Sequence, residues 1–316
     1  MKRFLIPAVL CLVLPLGVPA LAAAAYPDKI VQFVVPFGPG GSTDVATRLL
    51  LKTFNKNFPK EGVVVNVAGA GGAVGSRKVR ESAPDGYTLL SFNTILPVLR
   101  ILDMIDFSYQ ELTPVALFST SDTGVFVRND SPYKNMDDFI ADAKKRPGKI
   151  RFGVGFGTLA HLGALALEQK AGIQLNIVDA GGGEQKAASL LGGHIDAYFE
   201  PTPPVTQYLE SKTFRCIGIF SEKQNPGLPG VSTMKEHGID VVLMQNNGIF
   251  APKGTPEDVL SVLRGSLKKT CADEAFRKEL AAQTLDVVYI DGQAYIDLLA
   301  KEFTTLKQVV GNMQKK

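Results

Sequence analysis

Apolar positions recur along this chain in two alternating rhythms. Short continuous apolar runs predict buried strands, and stretches with apolar residues every three or four positions predict helices. Ile30–Val35 is the first such run, and the helix predicted over Thr43–Phe58 sets Val45, Ala46, Leu49, Leu50 and Phe54 on one face. A strand at Val63–Val67 leads to a glycine-rich helix start at Ala68–Ala73. The Pro84-Asp85-Gly86 turn then precedes a strand at Tyr87–Phe92 that ends in Asn93-Thr94. Thr113–Val127 is expected as one extended segment, and Ser131-Pro132-Tyr133 opens a helix through Asp137–Lys145. A similar set follows, with strands at Lys149–Val154, Leu175–Val178, Ile195–Phe199 and Arg215–Phe220. Helices are predicted between them at Leu159–Ala171, at Gln185–Gly192 and, briefly, after Pro203-Pro204. Val241–Phe250 is expected to be extended, the chain is helical from Pro256, and a last strand at Val287–Ile290 precedes a helix from about Gly292. Strands alternating with helices, in two similar sets, predict an α/β fold of two lobes.

The punctuation between these elements is chemically informative. Val34-Val35-Pro36-Phe37-Gly38-Pro39-Gly40-Gly41-Ser42-Thr43-Asp44 is a strand end, a turn poor in side chains and a helix start. The first amides of a helix have no partner within it, and the helix dipole favours negative charge there, so the turn suits a carboxylate or a phosphate. Tight strand-to-helix turns also use glycine for conformational reasons alone.

At the N-terminus, Lys2 and Arg3 precede an apolar stretch broken by Pro7, Pro15 and Pro19 and ending in Ala22-Ala23-Ala24-Ala25. That pattern predicts a secretory signal peptide over residues 1–25, cleaved near Ala25, and an exported chain. A membrane anchor would need about 20 apolar residues without helix breakers. Leu10 before Cys11 argues against a lipoprotein site. With 45% hydrophobic and 21% charged residues the chain is ordinary for a folded protein of two lobes. Its formal charge of +3 includes Lys2 and Arg3. No basic stripe with interleaved aromatics marks a nucleic-acid surface. Cys216 and Cys271 remain after cleavage; two cysteines permit one bridge but do not make a disulfide scaffold.

Motifs for enzyme chemistry are weak. Gly69-Ala70-Gly71-Gly72-Ala73-Val74 lacks the third small residue of a dinucleotide loop, and no Gly-Lys-Ser/Thr ends a phosphate loop. His161, His194 and His237 share no metal-ligand spacing, and no Gly-x-Ser-x-Gly elbow occurs. Asp196 and Glu200 fall on one face of a strand, a carboxylate pair or simply its polar ends. No catalytic constellation emerges, and no cofactor or metal is expected.

The chain resembles the periplasmic solute-binding receptors of tripartite tricarboxylate transporters, the TctC or Bug family. The resemblance spans nearly the whole predicted mature chain. It rests on Val34–Asp44, Gly69-Ala70-Gly71-Gly72 and Ala83-Pro84-Asp85-Gly86-Tyr87-Thr88-Leu89-Leu90, then on Pro147-Gly148-Lys149 and Gly155–His161. Leu190-Leu191-Gly192-Gly193-His194-Ile195-Asp196 and Phe250-Ala251-Pro252-Lys253-Gly254-Thr255-Pro256 complete it.

This resemblance implies a type II periplasmic-binding-protein fold with a ligand cleft between the lobes. Lobe 1 would comprise residues 26–130 and 245–316, and lobe 2 residues 131–244. A ligand carboxylate would sit on backbone amides at the glycine turns. By position, lobe 1 would contribute Phe37, Gly38, Gly40, Gly41, Ser42, Gly71, Gly72, Ala73, Asn93 and Thr94. Lobe 2 would contribute Gly157, Thr158, His161, Ala180 and Gly181. Bland roles are open too: Asp44 as a helix stabiliser, Ser42 as an N-cap, and Phe37 and His161 as packing groups. Departures from the family pattern, Val178-Asp179-Ala180-Gly181 and Asn246-Asn247, make Asp179, Glu200, Asn246 and Asn247 candidates for distal specificity. The cleft loops show almost no Arg or Lys, which leaves an anion to the helix starts. The implied function is capture of a small carboxylate by a monomeric receptor, with delivery to integral-membrane transporter subunits. A sensory receptor or a stand-alone enzyme on the same fold is the alternative.

Overall fold

A computed structural model of the chain describes residues 26–313, so the export segment expected over residues 1–25 lies outside the described residues. The first part runs β1 (Val31–Val35), α1 (Ser42–Asn57), β2 (Gly62–Asn66), α2 (Ala73–Arg80), β3 (Thr88–Asn93), α3 (Ile95–Ile101) and β4 (Leu112–Ser121). The middle runs β5 (Thr123–Arg128), α4 (Met136–Lys145), β6 (Arg151–Val154), α5 (Leu159–Ala171), β7 (Asn176–Asp179) and α6 (Gly183–Leu191). It continues through β8 (Ala197–Pro201), α7 (Thr206–Glu210) and β9 (Phe214–Ile219). The chain ends with β10 (Gln245–Pro252), α8 (Glu257–Ala272), α9 (Glu274–Ala281), β11 (Asp286–Asp291) and α10 (Gly292–Met313).

Among the described residues these strands form two sheets, ordered β11-β4-β10-β3-β1-β2 and β7-β6-β8-β5-β9. The chain is thus a mixed α/β protein of two lobes. In the first sheet β1 lies parallel to both β2 and β3, and β10 runs antiparallel between β3 and β4. Helices cover both faces, so a central strand such as β1 is apolar and buried everywhere except at Gln32 instead of alternating. Phe33 and Ile249 meet Leu50, Phe54, Leu263 and Phe276 on one side, while Val34, Leu90 and Phe250 meet Leu96, Leu99, Tyr295 and Leu299 on the other. In the second sheet Phe152 and Phe199 face Leu162 and Leu167 of α5, and Tyr198 faces Ala187 and Leu190 of α6.

The expected extended segment Thr113–Val127 is two strands in two different sheets. The chain crosses at Asp122, upstream of the boundary at Asp130 expected from sequence. The second lobe holds Asp122 directly: its carboxylate accepts from Ser221 and Asn225, and its carbonyl accepts from the Thr202 amide. Val241–Phe250 also divides. Leu243 is tied to the second lobe through Phe220 and Thr123, and the strand of the first sheet begins only at Gln245. The two crossings lie side by side. Helix α10 packs against α3 of the first lobe and reaches α5 of the second. Among the described residues, no helix is long and apolar enough to cross a membrane.

Candidate functional site

Between the sheets lies a cavity of about 510 Å³. One wall comes from the turn after β1 and the start of α1 (Phe37, Gly38, Pro39, Gly41, Ser42, Thr43), with Asn93 and Gln245 beside it. The opposite wall is Thr158, Leu159 and Ala160 at the start of α5, then Gly181 through Lys186 at the start of α6, with Glu200 and Pro201 from β8. Three helix starts therefore border one space, α1 from the first lobe and α5 and α6 from the second. In an α-helix the N–H groups point toward its start, so the first-turn amides of all three are directed at the cavity.

The first turn is shaped from behind. Pro36 follows β1, and Gly40 adopts φ +80°, a left-handed conformation that L side chains strain to reach. Asp44, buried in the first turn of α1, accepts from the Gly40 amide at 2.9 Å, Asn66 Nδ2 at 2.8 Å and Arg48 Nε at 2.8 Å. Burial pushes its carboxyl up, but these donors outweigh burial and hold it below the usual carboxylate range. Asp44 therefore holds the turn in shape and is not among the cavity's lining residues. Gly41 is the N-cap of α1 and has no side chain to satisfy the first amides; Ser42 is one residue too late to cap them. Instead Ser42 Oγ accepts from Gln245 Nε2. Phe37 stacks on Phe92 with 5.4 Å between ring centroids, and Asn93 Nδ2 donates to Thr43 Oγ1 at 2.8 Å.

The second lobe repeats the device. Thr158 caps α5 by position, but its hydroxyl turns back to the Gly155 carbonyl at 2.6 Å, so it caps no amide of α5. Before α6, Gly181 has φ +75°; Asp179 accepts from its amide at 3.2 Å, and Gln185 accepts from the Gly182 amide at 2.8 Å. Lys186 then reaches from α6 to β8, pairing with Glu200 and donating to the Phe199 carbonyl at 3.2 Å. The two side chains are only 5% and 9% exposed.

Of the residues expected from sequence, Phe37, Gly38, Gly41, Ser42, Asn93, Thr158, Gly181 and Glu200 line the cavity. Gly40, Gly71 and Gly157 lie at places where the lobes come together: Gly40 faces Glu184, and Gly71 faces the Gly157 carbonyl and Met104. Gly72 and Ala73 are packed beneath the cavity, where a Cβ at position 72 would lie 2.7 Å from the Phe92 ring. Thr94 is spent at the crossing, donating to the Met244 carbonyl at 3.1 Å and accepting from the Asn246 amide at 2.9 Å. His161 stands against Phe156, its pKa lowered by burial and only partly restored by Asp179. Ala180 faces Gly153.

Among the distal candidates, Asp179 is exposed and shapes the turn. Asn246 points away, between Thr120 and Glu302, and Asn247 is buried against Ser119. Asp196 pairs with Arg151 at 2.6 Å, so it and Glu200 form no carboxylate pair. Sequence reasoning missed Lys186 and Gln245. Lys186 corrects the expectation of a cleft almost without cations: it stands past the glycine turn, on the predicted helix, and its stem crosses to β8.

A match to the family of tripartite tricarboxylate transporter receptors (TctC) extends over residues 46–314. The chain belongs to this family. A relative from Cupriavidus necator, the UPF0065 protein in the gbd 5′ region, is 31% identical over 303 residues, covering 93% of this chain and 92% of its own. A TctC solute-binding protein from Polaromonas, solved without ligand, is 30% identical, with a TM-score of 0.72 over 91% of this chain and 99% of its own. The periplasmic binding protein BugD superposes with a TM-score of 0.84 at 27% identity, over 91% of this chain and 98% of its own. The TctC family and fold are those of solute-binding receptors, and the cavity between the sheets is where such a receptor has room for a solute.

Proposed function

We propose that the protein is a periplasmic receptor that captures a small organic carboxylate between its lobes and presents it to integral-membrane transporter subunits. One observation carries this reading: three helix starts from two lobes border one cavity of about 510 Å³. Each start offers partial positive charge and unpaired donors without a side chain that must be desolvated. An interaction of this kind contributes roughly 0.3–1 kcal/mol when exposed and up to about 2 kcal/mol when partly buried. Three acting together favour an anion over its neutral isostere by a margin that a titration resolves.

The division of the donors between lobes also suggests how binding is reported. A carboxylate held by α1 of the first lobe and by α5 and α6 of the second stabilises the approach of the lobes, which two adjacent crossings permit. A transporter could then distinguish the loaded form by its closed shape. Export, the monomeric state and delivery to a transporter belong to this reading.

Thermal-shift measurements on the purified protein, with carboxylic acids paired to their neutral amides, test the reading. A carboxylate that binds only the folded state should raise the melting temperature, with about 2.7 kcal/mol of stabilisation at a hundred times its Kd. Its amide should not. Equal responses from acids and amides would contradict an anion site.

A further inference from the structure

The far wall of the cavity holds a buried ion pair with one open side. Lys186 spends its charge on Glu200 and a second donor on the Phe199 carbonyl. Lys186 Nζ sits against Glu200 Oε2, which is buried, so the oxygen left to the cavity side is Oε1. Position 183 is glycine, and a Cβ there would lie 3.4 Å from Glu200 Oε1 and cover the carboxylate. Glu200 therefore lines the cavity through Oε1, and the absence of a side chain at position 183 leaves that oxygen room for a donor.

Charge bookkeeping over the same wall points one way. The ionisable side chains among the lining residues are Glu184, Lys186 and Glu200. Lys186 is answered by Glu200, and Glu184 adds a negative charge at the rim, where it faces Gly40. A second ligand carboxylate would meet no free cation there. It would have to lose its water beside two acids. A hydroxyl, an amide N–H or an ammonium would instead satisfy Glu200.

Resting on the receptor reading above, we infer that the Lys186–Glu200 pair sets specificity. It selects a monocarboxylate whose far end carries a hydrogen-bond donor, and it disfavours a dicarboxylate of the same length. The near end of that ligand sits on the helix starts, and its donor meets Glu200.

Calorimetric titration of the purified protein with equal-length sets tests this directly. One set is succinate, succinamate, 4-hydroxybutyrate, 4-aminobutyrate and butyrate; three-, five- and six-carbon counterparts cover other lengths. At the preferred length, the best donor-bearing acid should bind at least about tenfold more tightly than the diacid, and more tightly than the plain acid. Glu200→Gln, which frees Lys186, should move the ratio at least about tenfold toward the diacid. A diacid that equals or beats every donor-bearing acid in the native protein overturns the inference and leaves the receptor reading standing. A folded Glu200→Gln variant with an unchanged ratio also overturns it. If that variant does not fold, the ranking in the native protein decides. Failure of every acid to bind overturns the receptor reading and this inference with it.

Discussion

Glu302 shows how a single half-buried group records its surroundings. Its carboxylate accepts from Asn246 beneath β10, and burial, only partly offset by that bond, raises its pKa to about 7. The folded state therefore keeps a proton that the unfolded chain releases near its ordinary pKa of 4.5. The contribution of Glu302 is fully present below that value and is lost as the pH rises through about 7. Glu302→Gln keeps a neutral acceptor at all pH values. Its chemical-denaturation stability should match the native protein near pH 4 and exceed it by about 1–3 kcal/mol at pH 8. A variant less stable at pH 8 would show that the carboxylate is ionised and paired. At this scale part of the cavity's lining was legible in the sequence. Phe37, Gly41 and Ser42 were legible because a turn and a helix start are local events. Asp179 and Asn246 are not among the lining residues, because the direction of a side chain depends on the sheet or helix packed behind it. Lys186 was invisible because its partner, Glu200, lies on a strand with which α6 meets only through tertiary packing.

At the scale of elements, packing overrules propensity. Gly163 lies inside α5, where alanine would favour the helix by about 1 kcal/mol. A Cβ there would fall 2.2 Å from the ring of Phe199, which is fully buried in β8. Overpacking of a well-filled core costs about 1–3 kcal/mol, and a contact this short lies toward the upper end. Gly163→Ala should therefore lower the urea midpoint. A rise in that midpoint would mean that α5 can move off the sheet. The same packing explains which elements the sequence revealed. Strands buried on both faces, such as β1 and β3, stand out as apolar runs. The break at Asp122 does not, because β4 and β5 are both apolar and only their sheet partners separate them. Val241 and Leu243 are apolar as well, yet they serve the crossing and not a sheet.

At the scale of the molecule, two sheets joined by crossings at Asp122 and just before Gln245 give a natural hinge. Across the cleft, Gly40 faces Glu184 and Gly71 faces the Gly157 carbonyl. Solution scattering should show a smaller radius of gyration at saturating ligand than without it. An unchanged profile would indicate a rigid receptor. Cys216 in β9 and Cys271 in α8 sit in different lobes, unbridged and buried, with burial pushing both thiols up to about 12. Among the described residues, no disulfide ties one lobe to the other. The two-lobe architecture was legible from the repeated strand–helix pattern and the return at Gln245 falls where it was expected, whereas the first crossing, at Asp122 instead of Asp130, was not legible.

The central claim is that backbone amides of three helix starts hold the anion. Amide chemical-shift mapping of the labelled protein, titrated with the tightest-binding acid from the panel above, tests it most directly. The largest shifts should fall together on Gly41–Thr43, on Leu159 and Ala160, and on Gly183 and Glu184, and they should saturate with one binding constant. Shifts confined to one lobe, or centred on residues away from these helix starts, would contradict it.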